Sequence, residues 1–207
     1  FFFHYDSHDG MIGLMRIGDR PQALIGSEYE FFEKKHIKAA KAFVSGRSCI
    51  RALQKRLSLP EFELLPGEYG PVWPNGLVGS ISHSKELVTA TIIRDAVTVG
   101  IDIEERSRLK PEAIDRVVTS QERQKYSNVP GFDWTLLFSA KESVFKAISP
   151  LVRCHIGFRE VELTADLTGR SFSVNYLGNK IDPKLFENSK VHWSIFADHL
   201  ITLVTVK

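Results

Sequence analysis

Two short stretches bring together residue types that handle metal and phosphate. The first is Gly100-Ile101-Asp102-Ile103-Glu104, on a strand expected over Val97–Glu104. Alternation puts Val97, Val99, Ile101 and Ile103 on one face and Thr98, Gly100, Asp102 and Glu104 on the other. Two carboxylates sharing a face repel each other unless a cation lies between them, and such oxygen ligands suit Mg²⁺. Alone, the pair is better accounted for by a strand with one solvated face.

The second stretch is Phe138-Ser139-Ala140-Lys141-Glu142-Ser143-Val144-Phe145-Lys146-Ala147. At helical spacing Leu137, Ala140, Val144, Ala147 and Ile148 form one apolar stripe. Glu142 and Lys146 lie one turn apart on the opposite side, projecting away from the core. The carboxylate could complete a metal site while the ammonium neutralises phosphate. Alone, this is also a routine surface pair worth about 0.2–0.5 kcal/mol.

A third set is divided along the chain. Arg47 and Arg51 share one flank of a helix, where like charges are mildly unfavourable unless an anion lies between them. Guanidinium grips phosphate bidentately. Gly79-Ser80-Ile81-Ser82-His83-Ser84 places hydroxyls and an imidazole at a strand end, where they and backbone N–H groups can bind phosphate. A solvated basic helix face and a polar hairpin turn are the plain alternatives.

The elements that must position these residues follow from periodicity. Residues 1–25 read as a strand and loops. A helical period runs over 28–57, with a possible break at Ser45-Gly46. A Pro/Gly-rich connection spans Pro60 to Gly76. Strands are expected at Leu77–Ser82, Leu87–Ile93 and Val97–Glu104, and helices over 111–127 and 133–149. Four further strands follow at Glu160–Ala165, Ser171–Tyr176, Val191–Ala197 and Leu200–Val206. This order gives an α+β protein in two halves, divided between residues 94 and 110 and drawn as 1–100 and 101–207.

The chain has 207 residues, 43% of them hydrophobic and 25% charged, which suits a globular protein. Its 27 basic and 25 acidic residues leave a net charge of +2. That is too little for a broad nucleic-acid or membrane-binding field, so an anionic ligand needs a local cluster. Cys49 and Cys154 form no C-x-x-C, and neither a disulfide framework nor a zinc site is expected. No apolar run approaches the ~18 residues of a membrane span. Phe1-Phe2-Phe3-His4 does not read as a signal peptide, and the missing Met suggests an incomplete or processed start. The expected setting is the cytoplasm.

Taken together, the motifs become specific. Arg47 and Arg51, then Trp73-Pro74, then Gly79-Ser80-Ile81-Ser82-His83-Ser84, Gly100-Ile101-Asp102-Ile103-Glu104 and Phe138 to Lys146 follow one another in the order of a known family. Over residues 45–150 the chain resembles the larger monomeric 4′-phosphopantetheinyl transferases, above all the branch serving enterobactin-type siderophore synthetases. The resemblance implies two similar α+β halves related by a pseudo-twofold axis, with a coenzyme A cleft between them. It implies Mg²⁺ held by Asp102, Glu104 and Glu142, and Lys146 facing the pyrophosphate of coenzyme A, the co-substrate. Arg47 and Arg51 would anchor the nucleotide phosphates. Ser82 and His83 would lie on the adenosine 3′-phosphate side, and Lys141 would make a phosphate or adenine-side contact. One departure stands out. Relatives often carry a basic residue shortly before Trp-Pro, whereas Glu68-Tyr69-Gly70-Pro71-Val72-Trp73 has none.

The implied reaction is an in-line attack by a carrier-protein serine on the β-phosphate, with Glu142 as base and adenosine 3′,5′-bisphosphate leaving. The expected partner is an apo acyl or peptidyl carrier protein of a siderophore or other nonribosomal peptide synthetase, met by a monomer. Because carrier proteins present acidic helices, the docking face is expected between Lys110 and Lys125, with Arg116 and Arg123, or near Trp134. Two other readings stay open at this point: a coenzyme A or nucleotide-binding module without catalysis, and a metal-dependent nuclease.

Overall fold

Helical spacing between residues 28 and 57 resolves into two helices of unequal length in the structure, a computed structural model describing residues 2–4, 10–18, 24–187 and 189–206. The chain divides into two compact units, Phe1–Val97 and Thr98–Lys207.

In the first unit, strands β1 (Phe2–His4) and β2 (Gly10–Arg16) precede helices α1 (Glu28–Glu33) and α2 (Ile37–Arg56). The helix break therefore falls at residues 34–36, and α2 runs through Ser45-Gly46. Gly46 serves close packing instead: a Cβ there would stand 3.2 Å from Ile81 Cγ2. A two-residue ladder, β3 (Pro66–Gly67) and β4 (Gly70–Pro71), interrupts the connection to β5 (Leu77–His83) and β6 (Leu87–Arg94). The sheet order is β1-β2-β6-β5, antiparallel throughout. Cys49, Ile50 and Leu53 of α2 pack with Met11, Val88, Ala90 and Ile92 of the sheet to form its core.

The second unit starts with β7 (Thr98–Glu105). The expected helix over 111–127 is two helices, α3 (Pro111–Val117) and α4 (Ser120–Tyr126). Val118 and Thr119 are extended between them, and Thr119 caps α4 reciprocally with Glu122. This T-x-x-E capping box is a start signal that apolar periodicity alone overlooks. Helix α5 (Trp134–Val152) then crosses the sheet, and β8 (Val161–Asp166), β9 (Ser171–Tyr176), β10 (Lys190–Phe196) and β11 (His199–Val206) complete it. The order is β7-β11-β10-β9-β8, again antiparallel.

The α5 stripe Leu137, Ala140, Val144, Ala147 and Ile148 is fully buried. It packs with Val161, Phe172, Val191, Leu200 and Val204 of the sheet. Each unit is thus an antiparallel sheet with one long helix laid on it, a mixed α+β architecture. Among the described residues, no helix is long and apolar enough to cross a membrane. Both cysteines are free. Burial pushes the Cys49 thiol up to about 12, which keeps it protonated and inert.

Candidate active site

The acids of β7 lie beneath a helix. Seven of the eight residues of this strand are buried, so its polar face is not solvated. Gly100 shows why: a Cβ there would fall 1.8 Å from Ser143 O and 2.7 Å from Ala147 N. Only glycine lets the α5 backbone come this close. Thr98 Oγ1 donates to Ala147 O at 2.7 Å on the same face.

Asp102, two residues along, is 3% exposed. Its Oδ1 accepts from Lys146 Nζ at 2.6 Å and its Oδ2 from Ser139 Oγ at 2.8 Å. Lys146 therefore bends back to the strand, with its side chain 29% exposed, and does not project away from the core. Glu104 pairs with Arg108, a cation that lies beyond the end of the strand. Burial lifts the Glu104 carboxyl above its usual value, the neighbouring Asp102 adds to the lift, and Arg108 and Lys146 oppose it. Glu142 is lifted by burial as well; Lys146 opposes this, Asp102 reinforces it and Arg108 opposes it. Asp102, Glu104, Glu142, Lys146 and Arg108 thus form one electrostatic cluster within the second unit.

Among the described residues, no three His, Cys, Asp or Glu side chains form a ready-made metal cage. The donor chemistry nonetheless fits a hard cation. Desolvation lifts both Glu104 and Glu142, Asp102 raises both as well, and added positive charge relieves these effects.

Lys141, expected at a phosphate or adenine-side contact, has other partners in the structure. Its side chain is wholly buried. Its ammonium donates to Glu122 Oε2 at 2.7 Å, Val117 O at 2.8 Å and Phe158 O at 2.9 Å. An ammonium has three protons, and all three are used. Burial lowers its pKa, while Glu122 opposes that shift. Lys141 ties α5 to α4 and to the segment before β8.

The two arginines of α2 have the anion between them that their spacing calls for, and it is Glu28 of α1. Arg51 Nη2 stands 2.6 Å from Glu28 Oε1, and Arg51 Nη1 donates to Gln54 Oε1 at 3.3 Å. Glu28 is fully buried and also accepts from Leu64 N and Ile25 N. Arg51 is thus held by Glu28 and Gln54. Arg47 is held more loosely, with Nε 3.7 Å from Glu28 Oε1 and the guanidinium 4.3 Å over the Phe43 ring. It is 6% exposed, and its Nε has no hydrogen-bond partner among the described residues. Burial lowers its pKa to about 10; Glu28 opposes this and Arg51 adds to it. Ser82 and His83 end β5, with Ser82 buried and His83 exposed.

Arg108 was not evident in the sequence. Its four-residue spacing from Glu104 suits a helix, but here the pair closes across a turn where Ser107 takes φ 55°. Arg108 also borders a pocket of about 280 Å³ lined by Leu109, Lys110, Ala113, Thr135 and Phe138. Of the basic residues expected to meet a carrier, Arg123 pairs with Asp115 and lies 5.8 Å over the Trp134 ring.

Two acids on β7 thus lie beneath α5, the helix that carries Glu142 and Lys146. Comparison with known proteins gives the family. The profile of the 4′-phosphopantetheinyl transferase superfamily matches residues 98–204, more than half of the chain. That of the 4′-phosphopantetheinyl transferase N-terminal domain matches residues 27–93. The chain belongs to the 4′-phosphopantetheinyl transferase superfamily.

Among individual relatives, 4′-phosphopantetheinyl transferase Svp of Streptomyces mobaraensis is 35% identical over 174 residues, covering 79% of this chain and 71% of that protein. 4′-Phosphopantetheinyl transferase PptT of Mycobacterium tuberculosis is 34% identical over 140 residues, covering 64% of this chain and 62% of that one. Enterobactin synthase component D of Salmonella typhimurium is 36% identical over 140 residues, covering 65% and 58%. The matched region thus spans less than two thirds of the last two. The resemblance to the enterobactin branch holds at this level.

Proposed function

We propose that the protein transfers the 4′-phosphopantetheine group of coenzyme A to a serine of an apo carrier protein, that of a siderophore or other nonribosomal peptide synthetase. The observation that carries this reading is the Asp102–Lys146 contact between β7 and α5, with Glu104 and Glu142 in the same electrostatic cluster, inside the region matched by the superfamily. Asp102, Glu104 and Glu142 are the residues that would hold Mg²⁺, whose charge when bound offsets that of the pyrophosphate.

The serine oxygen forms a bond to the β-phosphorus as the bridging P–O bond breaks. Adenosine 3′,5′-bisphosphate departs with that oxygen and its electron pair. Glu142 takes the hydroxyl proton. Burial by itself raises the Glu142 carboxyl above its usual value, the direction that suits a base, and a bound cation would oppose that rise. Lys146 places positive charge where the leaving group gains negative charge. Arg47, a desolvated guanidinium whose Nε has no hydrogen bond among the described residues, binds a nucleotide phosphate, with Ser82 and His83 on the 3′-phosphate side. The carrier docks along Lys110 to Lys125. The apolar pocket next to Arg108 and Lys110 supports this, because an acidic amphipathic helix needs both apolar contact and positive charge.

The test is intact-mass spectrometry of an apo peptidyl carrier protein incubated with the protein, coenzyme A and Mg²⁺. A phosphopantetheine-sized gain that EDTA abolishes is expected. Coenzyme A binding with no gain on any carrier would reduce the protein to a binding module.

A further inference from the structure

Ser139 belongs to the Phe138–Lys146 stretch but has no part in the reaction described above. It is fully buried, as is Thr202. Thr202 is the cross-strand partner of Asp102 in the β7–β11 pairing. The three residues form a closed arrangement under α5. Ser139 Oγ donates to Asp102 Oδ2 at 2.8 Å, Thr202 Oγ1 donates to Ser139 O at 2.8 Å, and the two hydroxyl oxygens stand 3.0 Å apart.

The proton directions follow from elementary chemistry. A carboxylate oxygen only accepts, so the single Ser139 hydroxyl proton points to Asp102. The single Thr202 proton then points to the Ser139 carbonyl, with the Ser139 oxygen as its second, longer acceptor. Each hydroxyl has one proton and one consistent placement for it.

We propose that Ser139 and Thr202 are positioning residues for Asp102, pinning Oδ2 so that the carboxylate presents Oδ1 alone to a cation. This rests on the reading of Asp102 as a ligand of the divalent ion. Lys146 supports it, because the side-chain cation now in contact with Asp102 meets Oδ1, at 2.6 Å, while the hydroxyl meets Oδ2. Ser139 and Lys146 both come from α5, so turning the carboxylate plane requires breaking the Ser139 bond. Asp102 is thereby a one-oxygen ligand of fixed direction. Outer partners of this kind typically set metal affinity by ~10–100-fold.

The test is Mn²⁺ binding, read by electron paramagnetic resonance on the full chain with coenzyme A present and no carrier protein, so no turnover is needed. Ser139→Ala is expected to weaken Mn²⁺ binding on the order of tenfold. Thr202→Val should weaken it by a smaller factor, and Thr202→Ser should restore it. Coenzyme A affinity in EDTA should stay unchanged in all three. Thermal melts identify any variant that fails to fold, and Thr202→Ser against Thr202→Val then decides the matter. Wild-type Mn²⁺ affinity in both Ser139→Ala and Thr202→Val would overturn the positioning role while leaving the ligand reading intact. Absence of Mn²⁺ binding by the unaltered protein would overturn both.

Discussion

Replacing Lys141 by Ala separates its structural role from the phosphate contact that the motif implies. The substitution removes three hydrogen bonds and leaves the Glu122 carboxylate, 1% exposed, facing an emptied site. Glu122 would keep the N–H groups of Thr119 and Leu163. It would lose its only ion-pair partner recorded among the described residues. Breaking a buried pair from one side costs about 3–5 kcal/mol, a large share of a stability that is typically about 5–15 kcal/mol. The assay is urea unfolding followed by tryptophan fluorescence, since Trp134 and Trp193 both pack against the core of this unit. The KM for coenzyme A is measured alongside, under conditions where the variant is folded. The expected result is a large fall in stability with KM unchanged. A raised KM at unaltered stability would refute the reasoning and return Lys141 to the binding site.

The arginines of α2 should also separate. Arg51→Ala leaves Glu28 buried and is expected to cost about 3–5 kcal/mol in a urea melt. Arg47→Ala should instead raise the KM for coenzyme A by on the order of tenfold to a hundredfold, the worth of a charged hydrogen bond. Gly100→Ala drives a methyl into the α5 backbone and is expected to cost at least ~1–3 kcal/mol; wild-type thermal stability would contradict the close approach. Glu142→Gln should abolish transfer in the mass assay while coenzyme A binding, measured by calorimetry, persists. The same variant tests the pH dependence. Burial holds Glu142 above its ordinary 4.5 in the folded protein, so its contribution to stability is full below that value and is lost as pH rises through the raised one. In EDTA the Gln variant should therefore melt progressively higher than the parent as pH rises toward neutrality, and a gap that does not change with pH would contradict this.

The proposed site residues were legible because their chemistry is local. The alternation of Gly100 to Glu104 and the helical spacing of Glu142 and Lys146 name four members of the cluster without any tertiary information. Alternation could not say whether the polar face of β7 meets water or a helix, although a glycine in mid-strand is a signal of close backbone approach. Long-range pairing was invisible. Glu122 lies 19 residues from Lys141 and Glu28 lies 23 from Arg51, and nothing local couples them. The sequence therefore could not show that Lys141 and Arg51 meet buried carboxylates. Arg108 was missed for a different reason, because its partner is reached across a turn with positive φ and not along a helix.

Glu28 also has a consequence for the dynamics of the first unit. One buried carboxylate receives the Ile25 amide, the Leu64 amide and the Arg51 guanidinium. None of these can open without stranding the others' acceptor, so the segment leading into α1 and the segment before β3 are bound into one cooperative opening event. In hydrogen exchange the Ile25 and Leu64 amides should share one protection free energy, although they lie in separate stretches of irregular chain. Arg47, whose Nε stands 3.7 Å from the same carboxylate, would then be only as well placed as that shared fluctuation permits.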